Sequence, residues 1–544
     1  MTITIANYEN KLVVKGYNPD IESLAGAKYD RKANVLTFPM EYRTYHLIKK
    51  IDPKATETQS VRAWVTKVLQ SRLNREKLKA QPYRDFTVPY ADKLFDYQRQ
   101  GINYLYNVPK AIMGDDMGLG KTLQTITTIQ ELGVKRVLIV CPNSLKFTWS
   151  KEFDYWTGRK CHVITSSNKK RVLKDFKEGI LIVNYESIWD RKTKDILPEI
   201  KSLYWDVVVY DEAHRLKNRN ATHTKACKKI KSERVYMLTG TPIENSPDEL
   251  WSLLNLMYPK TFNSYWRFVD QWCSTKTMRI GGREIKSVVG CQDPQAMHEM
   301  LSPIMIRRLK KDVLSQLPDK IYKTITVELN SSDRKVYNEL RDEMIAELST
   351  GEVVITANVL TQMMRLRQVA ISSQLLSEDE SVGRVKSSKL DAVEDIVLNN
   401  IDSHKLVLFT QFKSSLKMMK NLLEEQNIKC LEISGDISSE ERQRNCDLFQ
   451  TDDTYRVILC TIQTAGVGLT LTQADICVFL DKHYNPQLNR QAEDRLYRIG
   501  QKNVVQVISI IADDTLEERI EDMLRRKNDM FEQVVNGNNL LKLI

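Results

Sequence analysis

The chain has 544 residues, of which 42% are apolar and 28% charged, and its mean hydropathy is −0.40. This length predicts three or four domain-sized units, and the excess of Lys and Arg over Asp and Glu (81 against 70, net +11) favours a polyanionic partner, with plain solubility charge as the alternative. Residues 1–14 have no signal-peptide pattern and no run of 18 apolar residues occurs, so we expect neither secretion nor a membrane span.

The cysteines argue against an extracellular scaffold. Nine of them are scattered along the chain without any C-x-x-C pair, and Cys141, Cys460 and Cys477 stand within or beside apolar runs. This pattern is typical of buried thiols in a reducing compartment. We therefore predict neither a disulfide framework nor a zinc site.

The first unit is predicted at residues 1–90 as a small α+β accessory domain. It contains strand-like runs at residues 11–15 and 35–38 and a basic helix at residues 60–79. The helix offers a candidate face for phosphate contact, although a solvated charge run is the more usual explanation. The basic residues of that face are Arg62, Arg72, Arg75, Lys77 and Lys79.

Two series of short apolar runs follow and predict two lobes, each built on a buried parallel sheet with crossover helices. The first lobe is placed at residues 91–255 and the second at residues 386–514. Between them, residues 256–385 are predicted as a helical insertion and linker, with helices at 333–349 and 357–369 and a polar break at 377–388. Residues 515–544 are predicted as a C-terminal helical brace. The runs lie at residues 111–113, 137–141, 180–183, 207–210 and 235–238, then at 406–409, 430–433, 457–460, 476–480 and 505–510.

A glycine-rich segment at residues 114–122 predicts a nucleoside triphosphate site. It follows an apolar run and opens a helix at Lys121 and Thr122, so backbone N–H groups point at phosphate oxygens. The Lys121 ammonium is suited to the β and γ phosphates and the Thr122 hydroxyl to Mg²⁺. The strict pattern has glycine where Asp115 stands, and a chance turn before a helix is the alternative. The loop residues assigned to ATP are Asp116, Met117, Gly118, Leu119, Gly120, Lys121 and Thr122.

Two further clusters suit phosphoryl transfer. Asp211 and Glu212 end a buried strand, where the first carboxylate can hold Mg²⁺ through water and the second can orient or deprotonate the attacking water. Arg495 and Arg498 are spaced i, i+3 on a predicted helix and could both reach a γ-phosphate held by the first lobe. A helix cap for the acidic pair and an ordinary charged helix face for the arginines are the structural alternatives.

In chain order over residues 91–520, these segments resemble the motifs of the Swi/Snf-type ATPases, helicase-like DNA translocases of superfamily two. The loop resembles motif I and residues 211–214 motif II. The other matching segments are residues 95–98 (Q motif), 137–145 (Ia), 238–245 (III), 307–313 with 317–318 (a family-specific segment), 408–412 (IV), 464–469 (V) and 491–501 (VI).

The resemblance implies an α/β fold of two RecA-like lobes and further site residues. Gln98 is implied to read adenine, and Gly466 and Gly468 to contact ATP. His214 is implied to relay between ATP and motif III, with a packing histidine as the alternative. The remaining residues implied to couple hydrolysis to DNA contact are Thr239, Thr241, Thr461, Thr464 and Gln491.

The N-terminal unit carries a shorter resemblance. Residues 17–21, 27–30 and 35–39 resemble the HARP module of annealing helicases and fork remodellers. An unrelated DNA-binding domain and a purely structural cap are the alternatives.

The expected function is that of a DNA-dependent ATPase, with ATP and Mg²⁺ as cofactors, that translocates on double-stranded DNA and remodels forks, junctions or annealing bubbles. One alternative is an ATP-driven remover of DNA- or RNA-bound proteins such as polymerase. Another is a scaffold with a vestigial ATPase, which intact Lys121, Glu212, Arg495 and Arg498 oppose. Expected partners are duplex or branched DNA and a single-strand-binding or replication protein. We expect a monomer in the cytoplasm of a bacterial or viral system, or in the nucleus of a eukaryote.

Overall fold

The computed structural model describes residues 3–24, 26–280, 283–314, 317–349, 356–376, 387–465, 470–498 and 500–536. These residues form three β-sheets and a separate β-hairpin, with helices packed against them. Within these ranges, no helix combines the length and hydrophobicity needed to cross a membrane.

The N-terminal domain is an α+β unit with its own core. Its sheet has the order β3-β4-β2-β1-β5, antiparallel except where β1 pairs with β5. Apolar and polar residues alternate along these strands, as a half-buried strand requires. In β2, for example, Leu12 and Val14 point into the core and the two lysines point outward. The elements are β1 (Thr4–Tyr8), β2 (Lys11–Lys15), α1 (Pro19–Glu22), β3 (Lys28–Asp30), β4 (Val35–Pro39), α2 (Tyr42–Ile51), β5 (Thr56–Glu57) and α3 (Gln59–Ala80).

The first lobe contains a seven-stranded parallel sheet. Its strands are apolar and buried on both faces because helices cover both sides. Its elements begin with α4 (Asp96–Asn107), β6 (Lys110–Met113), α5 (Lys121–Glu131), β7 (Arg136–Cys141), α6 (Lys146–Thr157), β8 (Cys161–Val163), α7 (Lys169–Asp175), β9 (Gly179–Asn184) and α8 (Pro198–Ser202). They continue with β10 (Tyr204–Asp211), α9 (Thr222–Cys227), β11 (Lys231–Leu238), α10 (Glu249–Met257) and α11 (Tyr265–Trp272).

The chain after α11 contains strands as well as helices, whereas the sequence predicted a helical insertion there. Strands β12 (Cys273–Ile280) and β13 (Arg283–Cys291) form the antiparallel hairpin, and α12 (Pro294–Leu301) follows. Strand β14 (Met305–Ile306) then returns to the first lobe, whose sheet order is β14-β6-β11-β10-β7-β9-β8. Charged and polar residues interrupt both hairpin strands, so the sequence has no continuous apolar run there that would predict a strand.

The same stretch also starts the second lobe. After α13 (Lys310–Val313), strand β15 (Lys320–Val327) pairs in parallel with a strand nearly 200 residues later. The predicted helices are present as α14 (Ser331–Ser349) and α15 (Thr356–Ile371). Most of the polar break predicted at residues 377–388 lies outside the described residues.

The second lobe is a six-stranded parallel sheet of order β15-β20-β19-β16-β18-β17, so the predicted α/β fold with two sheet-based lobes is confirmed. Its elements are α16 (Ser388–Asn400), β16 (Leu406–Thr410), α17 (Lys413–Glu425), β17 (Cys430–Ile433), α18 (Ser439–Thr451), β18 (Val457–Thr461), α19 (Ile462–Ala465), β19 (Ile476–Phe479), α20 (Pro486–Glu493), β20 (Val505–Ala512) and α21 (Leu516–Phe531). Short 3₁₀ turns lie at Ala91–Lys93, Asn143–Leu145, Ala213–Leu216, Ser302–Ile304 and Ser373–Leu376.

The C-terminal helix α21 returns to the first lobe. Phe531, with Val534 and Val535 in the turn after it, is buried in the first lobe's core. The Lys527 ammonium donates to Asn245 Oδ1 of the first lobe (2.9 Å) and to the Tyr484 carbonyl of the second (3.1 Å). The end of the described chain therefore contacts both lobes.

Candidate active site

The predicted catalytic residues of the first lobe meet at one edge of its sheet. The glycine-rich loop follows β6, Asp211 ends β10, and Thr239 follows β11. These strands are neighbours in a parallel sheet. Their carboxyl ends share one edge, which is where open α/β sheets bind ligands.

The glycine-rich loop has the backbone of a phosphate cradle. Gly118 and Gly120 have φ values of +84° and +74°, a region that glycine enters without steric cost. The loop leads into α5, whose first N–H groups have no partner within the helix and so point at the loop. The Lys121 ammonium donates to the carbonyls of Asp115 (2.8 Å) and Asp116 (3.2 Å), which places its charge inside the loop.

Gln98 lies against this loop. Its Oε1 accepts from the Phe95 amide (3.1 Å) at the start of α4, and its Nε2 contacts the Leu119 carbonyl at 3.5 Å. A methyl group built on Gly120 would lie 2.5 Å from Gln98 Nε2. The side chain thus supports the loop directly, while its reading of adenine stays a prediction.

Asp211 is a buried carboxylate held in a fixed orientation. Its Oδ2 accepts from Trp149 Nε1 (2.8 Å) and its Oδ1 from the Glu212 amide (3.0 Å). Burial, and then the negative charge of Glu212, raise the pKa of Asp211 to about 7. A divalent cation would relieve both effects, so Asp211 fits Mg²⁺ together with the Thr122 hydroxyl and phosphate oxygens.

Glu212 stands in a strained backbone position. Its φ of +50° is unusual for a residue other than glycine, and strain of this kind collects at functional sites. Its Oε2 lies 3.4 Å from His214 Nδ1, which also contacts Thr239 Oγ1 at 3.4 Å. On the other side of the ring, His214 Nε2 lies 3.5 Å from Glu244 Oε1. His214 therefore sits in a polar chain that joins the predicted base to motif III, although its relay role stays a prediction.

Both predicted arginines of the second lobe face the first lobe. A methyl group built on Gly118 would lie 3.7 Å from Arg498 Cγ, so the stem of Arg498 lies beside the glycine-rich loop. Its guanidinium donates to the Asp494 carbonyl (3.1 Å) and to Thr470 Oγ1 (3.3 Å), both of the second lobe. Arg495 is only 2% exposed. Burial, and then the charge of Arg498, lower the pKa of Arg495 to about 9, while Asp494 and Glu212 act in the opposite direction. The two guanidinium groups lie close enough together for the charge of Arg498 to act on the pKa of Arg495.

The structure also brings in arginines that sequence reasoning left out of the site. Arg308 Nε donates to Asp115 Oδ1 (2.9 Å) and its Nη2 donates to Gln124 Oε1 (2.8 Å). Arg307 donates to Asp116 Oδ1 (3.1 Å) and to the Gly240 carbonyl (3.0 Å). Asp115, which replaces the glycine of the strict pattern, is fully buried as the partner of a cation. Only the resemblance of residues 307–313 to a family segment could have signalled these contacts.

Lys310 joins the glycine-rich loop to the second lobe. Its backbone N–H donates to Asp116 Oδ2 (3.1 Å). Its ammonium donates to the Tyr497 carbonyl (2.7 Å) and pairs with Asp494 Oδ1 (2.9 Å). Lys310 is 4% exposed, so this contact between the lobes is shielded from water.

The remaining predicted residues are less closely defined. Thr461 and Thr464 share a hydrogen bond of 2.5 Å at the end of β18, and Gln491 is buried in α20. The Thr241 amide donates to Thr239 Oγ1 (3.0 Å). Gly466 and Gly468 lie outside the described residues. DNA-contact roles for these positions stay predictions.

The structure has two RecA-like lobes that contact each other beside a glycine-rich loop. The family model described as the SNF2-related domain matches residues 97–375, and the helicase conserved C-terminal domain matches residues 388–500. The first match alone spans more than half of the chain. The chain therefore belongs to the SNF2-related family, and the predicted Swi/Snf-type membership is confirmed.

Similar proteins include an uncharacterised ATP-dependent helicase of Mycoplasma pneumoniae, 31% identical over 461 residues (81% of this chain, 42% of that protein). Another is the DNA annealing helicase and endonuclease ZRANB3 of Homo sapiens, 31% identical over 456 residues (82% and 40%). A solved structure, the Sulfolobus solfataricus SWI2/SNF2 ATPase core in complex with dsDNA, is 26% identical, covers 84% of this chain and 96% of that one, and superposes with a TM-score of 0.40. The chain thus spans about two fifths of the two helicases.

Proposed function

We propose that the chain hydrolyses ATP with Mg²⁺ and uses the closing and opening of its lobes to move along double-stranded DNA, acting on forks, junctions or annealing bubbles. The observation that carries the proposal is the place of Arg498 of the second lobe, whose Cγ lies 3.7 Å from a methyl group built on Gly118 of the phosphate loop. Because one half of the catalytic charge stands on each lobe, hydrolysis requires closure.

The chain's own residues divide the chemistry between them. Bound ATP and Mg²⁺ supply the transferable phosphoryl group and its charge neutralisation. Lys121 holds the terminal phosphates, Thr122 and Asp211 hold the metal, and Glu212 takes the proton of the attacking water. Arg495 and Arg498 stabilise the charge that develops on the phosphoryl oxygens, a contribution on the order of 10³–10⁵ in rate in related systems.

Two observations support DNA as the polymer along which the chain moves. The net charge of +11 suits a polyanion gripped through its phosphates without base readout. The similar protein ZRANB3 is named a DNA annealing helicase, which favours branched DNA over nucleosomes. We further propose a monomer that works beside a single-strand-binding or replication protein, in the bacterial or viral cytoplasm or the eukaryotic nucleus.

The test is steady-state ATP hydrolysis with no nucleic acid, single strand, plain duplex, a model fork and single-stranded RNA, at two salt concentrations. We expect stimulation by duplex, more by the fork, and less at high salt. Arg498→Ala should lower kcat by on the order of 10³, and Arg525→Ala, an arginine exposed on α21, should leave it unchanged.

Stimulation by RNA or by single-stranded DNA alone would contradict the proposal that the chain moves along double-stranded DNA. Equal stimulation by fork and duplex would favour the alternative in which the enzyme removes bound proteins from the duplex. Hydrolysis that ignores every nucleic acid would contradict the proposal as a whole.

A further inference from the structure

A cavity of about 300 Å³ lies between the N-terminal domain and the first lobe. One wall is formed by α2 and α3, and the other by α11, α12 and the chain just before α11. None of the residues around it belongs to the ATP site. Its volume is at the lower end of the range of small-molecule sites, ~300–1,000 Å³, so it suits one flat group and not a long segment.

Aromatic side chains from both domains line this cavity. Tyr42 and Trp64 come from the N-terminal domain, and Phe262 and Trp272 from the first lobe. Tyr42 also stacks on His46, with ring centroids 6.3 Å apart. Both domains therefore contribute ring surfaces to the same space, and ring surfaces of this kind stack readily on nucleobases.

Arg43 brings a positive charge to the lining of this cavity. Its guanidinium carbon lies 3.7 Å from the centroid of the Trp272 ring. Its Nε and Nη1 are buried and make no hydrogen bond to any residue that the structure describes. Burial lowers the pKa of Arg43, and Asp293 opposes that effect. A buried guanidinium is costly without a nearby negative charge, so an anion in the cavity that Arg43 lines would stabilise it.

The other charges around the cavity favour an anion as well. Arg72 lies 4.4 Å from the centroid of the Tyr42 ring, and within the described ranges it forms no ion pair with a carboxylate. The Glu41 carboxylate is already engaged by Arg267 (3.3 Å) and Gln271 (3.2 Å). Glu299 is the remaining carboxylate of the lining, and it is exposed to solvent.

The charge of the whole domain points to a polyanion. Residues 1–90 contain 16 Lys and Arg against nine Asp and Glu, so +7 of the chain's +11 lies in the first sixth of the sequence. An electrostatic surplus of this kind raises the local concentration of nucleic acid at the cavity.

We propose that this cavity binds a single unpaired nucleotide of DNA, with its base stacked among the aromatic rings and its phosphates held by Arg43 and Arg72. In a duplex, neighbouring pairs cover both faces of each base, and a double helix is too wide for a cavity of about 300 Å³. The site thus distinguishes branched DNA, which offers unpaired bases, from plain duplex. The biological role of this site rests on the proposed function, whereas the binding test of the site does not depend on that function.

The test is the binding of two fluorescent strands of equal length to the full chain without ATP, one an oligothymidylate and the other carrying abasic sites in place of its bases. The intact chain should prefer the base-bearing strand by roughly 5- to 100-fold, the range for losing one stack. Tyr42→Ala should abolish that preference while leaving affinity for the abasic strand unchanged. A photoreactive thymidine in the strand should crosslink to residues of the cavity.

A matched pair of variants separates the site from general charge. Arg72→Gln and Arg62→Gln remove one charge each from α3, but only Arg72 lines the cavity. We expect a larger loss for Arg72→Gln. Equal losses, equal affinity of the intact chain for both strands, or crosslinks confined to other surfaces would each overturn the site. Duplex-stimulated ATP hydrolysis retained by Tyr42→Ala would show that the proposed function stands regardless of this outcome.

Discussion

Asp494 shows how a single buried residue of the site depends on its partners. It is 5% exposed and lies between the ammonium groups of Lys310 (2.9 Å) and Lys320 (3.4 Å). Burial alone would raise its pKa, but the two cations outweigh burial and lower the pKa of Asp494 to about 2. An unfolded Asp titrates near 3.9. These ion pairs therefore stabilise the fold above about pH 4, and that stabilisation is lost as the pH falls toward 2.

We predict that Asp494→Asn lowers the free energy of unfolding at pH 7 by at least about 2 kcal/mol, since it removes the pairs and leaves two buried ammonium groups. Urea unfolding followed by far-UV circular dichroism at pH 7 and pH 3 measures this. The difference from the unsubstituted chain should shrink at pH 3. Asp522→Asn, whose carboxylate is exposed, is the control and should change little. A difference that stays constant or grows in acid would contradict the ion-pair assignment.

At the scale of elements, the junction between the phosphate loop and α5 depends on Gly120. Gly120→Ala has two effects: it puts a side chain at a φ of +74°, and its added carbon lies 2.5 Å from Gln98 Nε2, so the Gln98 amide must move away from the loop. Gly133→Ala has only the first, since its φ is +60° and no atom lies within 4 Å of the added carbon. Both changes should cost about 1–2 kcal/mol of stability from the backbone. We predict that only Gly120→Ala also weakens ATP binding, by tenfold or more, measured with a fluorescent ATP analogue. Equal nucleotide affinity in the two variants would contradict the contact with Gln98.

The docking of α21 on the first lobe can be followed with the chain's own tryptophans. All eight lie between Trp64 and Trp272, so their fluorescence reports the N-terminal domain and the first lobe. Phe531→Ala removes a ring from the first lobe's core and should destabilise that lobe by about 3–5 kcal/mol. We predict a lower urea midpoint for the tryptophan transition. Leu398→Ala, on an exposed position of the second lobe, should leave it unchanged.

At the scale of the whole molecule, the sequence could predict those elements that a short stretch of neighbouring residues is enough to identify. Buried parallel strands are continuous apolar runs, and each of the ten runs chosen became a strand. The hairpin β12–β13 and strand β15 were missed because most of their residues carry polar or exposed side chains. The glycine-rich loop, Asp211 and Thr239 meet at one sheet edge because each follows or ends a parallel strand, and their catalytic roles stay predictions.

The contacts between distant segments could not be predicted in the same way. Arg308 and Asp115 are 193 residues apart, and Lys310 and Asp494 are 184 residues apart. In a chain with 81 basic and 70 acidic residues, the sign of a residue's charge does not determine which oppositely charged residue it pairs with. Only the folded arrangement selects these pairs, and the same arrangement makes Lys310 a contact between the lobes.

We predict that Lys310→Met lowers DNA-stimulated kcat by roughly 10-fold or more, while the KM for ATP changes far less. The ammonium contacts Asp494 and Tyr497 of the second lobe, and lost charge-assisted hydrogen bonds of this kind are worth about 1.5–3 kcal/mol each. The loss therefore falls on the equilibrium between open and closed lobes, because a less populated closed state slows hydrolysis.

The neighbouring Lys311→Met removes the same charge from an exposed side chain and should behave like the unsubstituted chain. Lys310→Arg, which keeps the charge, should recover part of the rate. Small-angle scattering with a nonhydrolysable ATP analogue should show a larger radius of gyration for Lys310→Met, with an unchanged tryptophan transition as proof of folding. If the two lysine variants lose activity equally, or if KM rises while kcat holds, Lys310 acts on nucleotide binding or on fold stability and does not hold the lobes together.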